Sequence, residues 1–147
     1  KKLKMKYILP LLVILTSIIG SLANLYINSD GWYEELIKSP LNPPSYVFGI
    51  VWPILYVIMA FVSFRVADKI ALIFIIQLIF NAAWSWLFFY FHFPEVALID
   101  IGILIYLNQR ILLIINKESR ILFYLYLPYL IWLFFAAFLN ASIVWLN

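Results

Sequence analysis

The 147-residue sequence has no cysteine, one histidine and four glycines, and only 12% of its residues are charged. Without cysteine, the chain can form neither disulfides nor thiolate metal sites. His92 lies alone in a His-Phe-Pro turn and lacks the partner ligands of a zinc or iron site, so we expect no metal and no protein-held cofactor. The sequence contains neither a phosphate-binding glycine loop nor a recognisable Ser-His-Asp arrangement, which argues against ATPases and hydrolases.

Hydrophobic residues make up 67% of the chain and aromatic residues 20%. Five apolar segments approach or exceed the length of about 20 residues with which a helix crosses a bilayer; they lie near 7–26, 46–64, 70–91, 96–114 and 121–146. Runs such as IALIFIIQLIF lack the alternation of a transmembrane β-strand. The sequence therefore predicts an all-α integral membrane protein, in which a single domain over residues 1–147 forms a bundle of five transmembrane helices.

The distribution of cations predicts how the bundle is oriented in the membrane. One end of an antiparallel bundle would hold Lys1, Lys2, Lys4, Lys6, Arg65, Lys69, Arg110, Lys117 and Arg120. The opposite end has only Lys38, among Asp30, Glu34, Glu35 and Glu95. By the positive-inside rule, the N-terminus is cytoplasmic and the C-terminus lies outside. The net charge of +3 then reflects this bias and an attraction to anionic lipid, and we expect no nucleic-acid partner.

The start of the chain has a second interpretation. Lysines, an apolar stretch and Ser21-Leu22-Ala23 resemble a cleavable signal peptide. However, the apolar run extends to about Ile27, which is closer to a full membrane span than to a signal core, and we favour the span.

The connection between the first two helices, from about Asn28 to Ser45, is long for a helix bundle. It carries Trp32, Tyr33 and Lys38, and it ends with a run of prolines at positions 40, 43 and 44 that reduces the entropy lost on ordering the loop. Its aromatic residues are typical of an interfacial belt, but they also suit a structured lid over a cavity. The residues alone favour neither interpretation.

Three predicted helices each carry aromatic and polar side chains on one face. These are Phe48, Trp52, Tyr56 and Met59 in the second helix, Gln77, Asn81, Trp84 and Ser85 in the third, and Tyr129, Trp132, Ala136 and Asn140 in the fifth. An amide facing lipid without a partner costs several kcal/mol, so these faces must meet protein or a cavity. They form either interhelical hydrogen bonds or a ligand pocket, and spacing alone leaves both possibilities open.

Five motifs, in order, resemble the tryptophan-rich sensory protein family (TspO/MBR), which includes the mitochondrial translocator protein or peripheral-type benzodiazepine receptor. They are W-Y-x-x-L-x-K-x-P-x-x-P-P from Trp32, V-F-G-x-V-W-x-x-L-Y from Val47, Q-L-x-x-N-x-x-W-S-x-L-F-F from Gln77, A-L-x-D from Ala97 and P-Y-x-x-W-x-x-F-A-x-x-L-N from Pro128. The similarity covers about residues 32 to 147, and five motifs in one order make chance similarity very improbable.

This resemblance implies a homodimeric five-helix membrane receptor or sensor that binds porphyrins, such as protoporphyrin IX and haem, and related hydrophobic ligands. Together with the faces described above, it predicts a pocket formed by Phe48, Trp52, Tyr56, Gln77, Asn81, Trp84, Tyr129, Trp132 and Ala136. The predicted lid residues are Trp32, Lys38, Pro43 and Pro44, with Lys38 placed to pair a propionate.

Two other functions are alternatives. One is light-dependent porphyrin degradation, for which Trp52 and Trp132 are the candidate residues. The other is transport of porphyrin or lipid, although the chain shows no internal repeat. No basic residue follows Arg120, so the C-terminal cholesterol pattern of mammalian members is absent and cholesterol is a poor candidate ligand.

Overall fold

The computed structural model describes residues 4–25 and 31–147, and this part of the chain is helical without strands. Helix α1 spans Met5–Asn24, the short α2 spans Trp32–Glu35, α3 spans Ser45–Ser85, α4 spans Pro94–Glu118 and α5 spans Arg120–Leu146. A π-helical segment, Trp86–Tyr90, continues α3. The predicted all-α membrane architecture is confirmed, and α4 extends about four residues beyond its predicted end.

Among the described residues, four continuous helical stretches are long and apolar enough to cross a membrane, and the longest, Ser45–Tyr90, covers the second and third of the five predicted spans. Its path is broken at Val66, whose φ of −124° and ψ of 27° are not helical. In a straight helix, Tyr56 and Asn81 would lie about 37 Å apart at 1.5 Å per residue, yet their side chains are joined by a 2.7 Å hydrogen bond. Helix α3 therefore folds back on itself, with a first arm over 45–65 and a second arm over 67–85.

The basic residues at the start of α1, at the turn in α3 and at the α4–α5 junction lie at one end of the bundle. Lys4 and Lys6 share a surface depression with Arg65. Lys69 pairs with Glu118 across 3.9 Å, which joins the α3 turn to the end of α4. The described residues 31–44, which precede α3, lie at the opposite end. Lys1, Lys2 and Asp30 lie outside the described residues. Among the residues described, the charge asymmetry expected from the sequence is an asymmetry of the folded bundle.

Apolar side chains cover both the interior and the outer surface. Phe74, Leu104 and Leu133 are among the side chains of the buried core, whereas Leu72 is 74% exposed and Ile121 is 79% exposed. A soluble protein would not expose so many large apolar residues. This distribution suits a bundle with lipid as its outer solvent.

The end of the predicted third helix differs from an ideal α-helix. The Phe91 amide donates to the carbonyl of Trp86, five residues back, at 2.9 Å. This wider turn is a π-helix, a form found frequently at functional sites. Trp86 fixes the segment to α1 because its Nε1 donates to the carbonyl of Ile19 at 2.8 Å.

Candidate ligand cavity

A cavity of about 450 Å³ lies between the helices. It is at the end of the bundle opposite Lys4, Lys6 and Arg65, which we call the cation cluster. Its volume is within the range of about 300–1,000 Å³ typical of small-molecule sites. Seven aromatic side chains form much of its wall: Tyr33, Phe48, Trp52, Tyr56, Trp84, Phe88 and Phe89. Aliphatic residues of α4 and α5 complete the apolar surface, and serine and asparagine side chains supply most of the polar groups.

Six of the nine predicted pocket residues lie in the wall of this cavity. They are Phe48, Trp52, Tyr56, Asn81, Trp84 and Ala136. Helix α3 brings the first five together because its two arms are antiparallel. Gly49 and Pro53 also line the cavity, so the first arm faces it where proline removes a backbone donor.

Gln77, Tyr129 and Trp132 were also predicted to line the pocket, but they lie behind its wall. Gln77 and Tyr129 are completely buried. Trp132 contacts the Trp52 ring edge-to-face at a centroid distance of 6.5 Å and the Phe48 ring at 5.8 Å. Its Nε1 is buried with no hydrogen-bond partner in the described residues. Trp132 therefore supports the wall through ring packing.

A chain of buried hydrogen bonds explains why the polar residues Gln77 and Tyr129 can occupy the interior of the bundle. Asn81 Oδ1 accepts from the Tyr56 hydroxyl at 2.7 Å, and Asn81 Nδ2 donates to the Tyr129 oxygen at 2.8 Å. The Tyr129 hydroxyl donates to Gln77 Oε1 at 2.8 Å, which also accepts from Asn108 Nδ2 at 3.1 Å. These bonds join the arms of α3 to α4 and α5.

Asn108 extends this chain, and the sequence interpretation missed it. Its Oδ1 accepts from the Tyr126 hydroxyl at 2.6 Å, and its Nδ2 also donates to the Leu104 carbonyl. Asn108 lies two turns after Ile101 on the buried face of α4, and an amide in an apolar span was the signal that could have identified it. Asn81 and Tyr56 are the side chains through which this network reaches the cavity.

Trp84 and Asn140 hold together the part of the cavity wall where α3, α5 and the start of α4 meet. The Trp84 Nε1 donates to Asn140 Oδ1 at 2.9 Å, and Asn140 Nδ2 donates to the carbonyl of Pro94 at 2.9 Å. Trp84 also stacks on Phe88 with a centroid distance of 5.4 Å. One α5 amide thus fixes the indole of α3 and the first residue of α4.

Helix α1 contributes a wall that the sequence interpretation did not predict. Ser17, Gly20, Ser21 and Asn24 line the cavity. Their spacing places them on one helical face, which was the available signal. A Cβ added at Gly20 would lie 3.7 Å from Ser85 Oγ and 3.8 Å from the Tyr56 hydroxyl, so alanine would fit there in ordinary contact.

The described residues 31–44 reach the cavity through side chains other than those predicted. Tyr33, Glu34 and Asn42 line it, whereas the predicted lid residues Trp32, Lys38, Pro43 and Pro44 do not. We call the described residues 31–44 the lid. Its helix begins after Gly31, whose positive φ of 72° suits glycine, and it ends at Glu35. Burial raises the pKa of the Tyr33 phenol, a hydrogen bond with Asn42 opposes this rise, and the Glu34 charge adds to it.

Several contacts hold the lid on the bundle. Trp32 stacks on His92 with a centroid distance of 4.2 Å and an interplanar angle of 7°. Tyr33 meets Phe89 edge-to-face at 5.4 Å. The Asn147 side chain accepts from the Ile37 amide at 3.1 Å and donates to the Ile37 carbonyl at 2.9 Å. The lid interpretation of the long connection therefore agrees with its position over the cavity.

Comparison with known proteins gives a consistent result. The sequence pattern of the TspO/MBR family matches residues 8–146. The chain is 33% identical over 125 residues to the tryptophan-rich protein TspO of Chlorobaculum tepidum, covering 79% of each chain. It is 34% identical over 129 residues to the protein of the same name from Archaeoglobus fulgidus, covering 79% of this chain and 80% of the relative. It is 31% identical over 133 residues to the translocator protein of Ovis aries, covering 82% and 79% respectively.

Proposed function

The chain belongs to the TspO/MBR family, and we propose that it is a membrane receptor or sensor that binds porphyrins and related flat hydrophobic ligands. The observation that carries this proposal is the 450 Å³ cavity with its aromatic wall beneath the lid. A relative from Cereibacter sphaeroides named tryptophan-rich sensory protein supports the sensor part of this proposal.

The chemistry of the wall suits a large π-system. Trp52, Tyr56 and Trp84 offer ring faces and edges, which interact favourably with other aromatic rings when they are offset or perpendicular. Asn81 and Asn140 provide fixed amides, because each is already held by hydrogen bonds to neighbouring helices. An apolar cavity with a few fixed polar groups orients a ligand without a large reorganisation cost.

A titration with protoporphyrin IX in nonionic detergent and in the dark tests this proposal. Porphyrin absorbance and tryptophan fluorescence would both be followed. We expect saturable binding that is weakened about tenfold or more by Trp52→Ala, which removes a central wall residue. Trp145→Ala is the matched control, because Trp145 is 87% exposed and does not line the cavity.

Trp132→Phe separates the wall from its support. It keeps an aromatic ring against Trp52 and Phe48, so we expect a change in affinity smaller than that caused by Trp52→Ala. Unchanged affinity in Trp52→Ala, or an equal loss in Trp145→Ala, would contradict the assignment of the cavity. Thermal unfolding of each variant would identify any loss of affinity that follows from misfolding.

Light-dependent porphyrin degradation is the second candidate function. The ring of Trp52 lies 5.7 Å from that of Tyr56 and 6.5 Å from those of Tyr129 and Trp132, which places several oxidisable side chains beside the cavity. Illumination of the titrated samples tests it. A defined product formed faster than free porphyrin bleaches, and lost in Trp52→Phe, would favour an enzyme. Gradient-dependent flux in proteoliposomes would instead indicate transport.

The proposed orientation places the lid outside the cytoplasm and the cation cluster inside. It rests on the positive-inside rule and on the collection of Lys4, Lys6 and Arg65 at one end. Accessibility of a single cysteine introduced at Lys117 or Ser39 to an impermeant reagent would test it. Homodimer formation stays a prediction from the family resemblance, and cross-linking in native membranes would test it.

A further inference from the structure

The described cavity wall contains a negative side chain and no positive one, although the predicted porphyrin ligand carries two carboxylates. Of the 25 described residues that line the cavity, Glu34 is the single charged residue. The other polar side chains in the wall are hydroxyls and amides, together with the indoles of Trp52 and Trp84. No lysine, arginine or histidine is among these residues, so the wall supplies no cation for a carboxylate.

Lys38 was expected to pair a propionate, but its ammonium group points elsewhere. Its Nζ donates to the carbonyl of Leu36 at 3.2 Å and lies 4.5 Å from the centroid of the Tyr33 ring. Both contacts are within the lid itself, and Lys38 does not line the cavity. The lid cation is therefore engaged with a carbonyl and an aromatic face, which satisfies its charge without a ligand.

Glu34 lies at the mouth of the cavity. It is exposed, it belongs to α2, and its neighbour Tyr33 lines the same cavity. Burial and, to a smaller degree, the charge of Glu34 raise the pKa of the Tyr33 phenol. A ligand carboxylate at this mouth would meet a like charge, whereas an ester, an amide or an ammonium group would not.

We infer that, among porphyrins and related flat hydrophobic ligands, the cavity favours those whose polar end is uncharged or cationic, and that Glu34 weakens the binding of those that carry carboxylates. Asn24, Asn42 and Ser21 then serve the polar end as neutral hydrogen-bonding groups, because all three line the cavity and none carries a charge. Discrimination of this kind comes from repulsion of the wrong ligand as much as from attraction of the right one. The inference rests on the proposed porphyrin-binding function and specifies the ligand class of that site.

Protoporphyrin IX and its dimethyl ester provide the test, because they share one macrocycle and differ in charge. The dissociation constants of both would be measured for the full chain, for Glu34→Gln and for Glu35→Gln. Glu35 is the matched control, since it is the next residue of α2, is exposed and does not line the cavity. Comparing the diacid-to-ester ratio between variants cancels the different partitioning of the two porphyrins into micelles.

We expect the diacid-to-ester ratio of dissociation constants to fall about two- to fivefold in Glu34→Gln at low salt, the size of effect typical of exposed charge pairs. The difference should shrink in 0.5 M salt, which screens charges beyond about one Debye length. Glu35→Gln should leave the ratio close to that of the unmodified chain.

The outcomes separate this inference from the function on which it rests. Saturable binding of both porphyrins with a ratio that Glu34→Gln leaves unchanged, or that Glu35→Gln changes equally, overturns the role of Glu34 alone. Tighter binding of the diacid that Glu34→Gln weakens overturns it as well. Absence of saturable binding for either porphyrin in every variant overturns the proposed function and this inference with it.

Discussion

Gln77→Leu distinguishes a residue that holds the bundle together from one that binds ligand. Gln77 Oε1 accepts from the Tyr129 hydroxyl and from Asn108 Nδ2. Leucine has a similar size but no acceptor, so the Tyr129 proton loses its partner, while Asn108 keeps the Leu104 carbonyl. Interhelical hydrogen bonds in membranes contribute about 0.6–1.7 kcal/mol each. The loss of two should lower the free energy of unfolding by about 1–3 kcal/mol.

The assay is unfolding by sodium dodecyl sulfate in a nonionic micelle, followed by helical circular dichroism. Ile79→Ala is the control, because Ile79 lies on the same arm of α3 but is 62% exposed towards the outside of the bundle. We expect the control to remain close to the unmodified chain in stability. Porphyrin affinity of Gln77→Leu, measured where the protein is fully folded, should stay within about twofold because Gln77 does not line the cavity.

A double-mutant cycle with Tyr129→Phe measures the bond directly. Because Tyr129 donates to Gln77, the two substitutions should be non-additive by about 0.6–1.7 kcal/mol. Two results would refute the reasoning. One is a Gln77→Leu variant as stable as the unmodified chain, and the other is a large loss of affinity at unchanged stability, which would make Gln77 a ligand contact.

Substitutions at three further positions test the wall, the lid and the space between helices. Asn140→Ala removes the acceptor of the Trp84 indole, and we expect porphyrin affinity to fall about threefold to tenfold in the same titration. Asn147→Ala removes both hydrogen bonds to Ile37. Ligand dissociation measured by stopped flow should therefore accelerate, and limited proteolysis at the lid should increase. An unchanged dissociation rate would contradict the role of this contact. Gly20→Ala should retain affinity because its Cβ would meet only ordinary contacts, whereas Gly20→Leu should reduce affinity by occupying the cavity, as a competition titration would show.

Gln77 and Asn81 were both predicted to line the pocket, but only Asn81 does so. Their spacing of four residues places both on one face of a helix, and that prediction holds because they join the same network. Spacing does not measure depth towards a neighbouring helix. Only the packing of α4 and α5 against this face buries Gln77 among Tyr129 and Asn108 and leaves Asn81 at the edge of the cavity.

The lid illustrates the same limit. The length of the connection and its prolines were compatible with a lid without requiring one, and the structure places Tyr33, Glu34 and Asn42 in the cavity wall. Which of its side chains enter the cavity depends on the rotation of a four-residue helix, and a stretch this short carries no reliable periodicity. Tyr33 and Glu34 therefore replace Trp32 and Lys38 in the wall.

By itself, the sequence determined that this is an all-helical membrane protein with five crossings, and that its cations gather at one end. Those properties follow from the length, hydrophobicity and flanking charge of each segment, because each segment meets the bilayer constraint on its own. The tertiary structure decided that α1 lines the cavity, that Trp132 supports rather than forms its wall, and that Glu34 is the charge at its mouth. These features depend on how far each helix is rotated and how deeply it packs against its neighbours. Contacts between residues distant in sequence determine both.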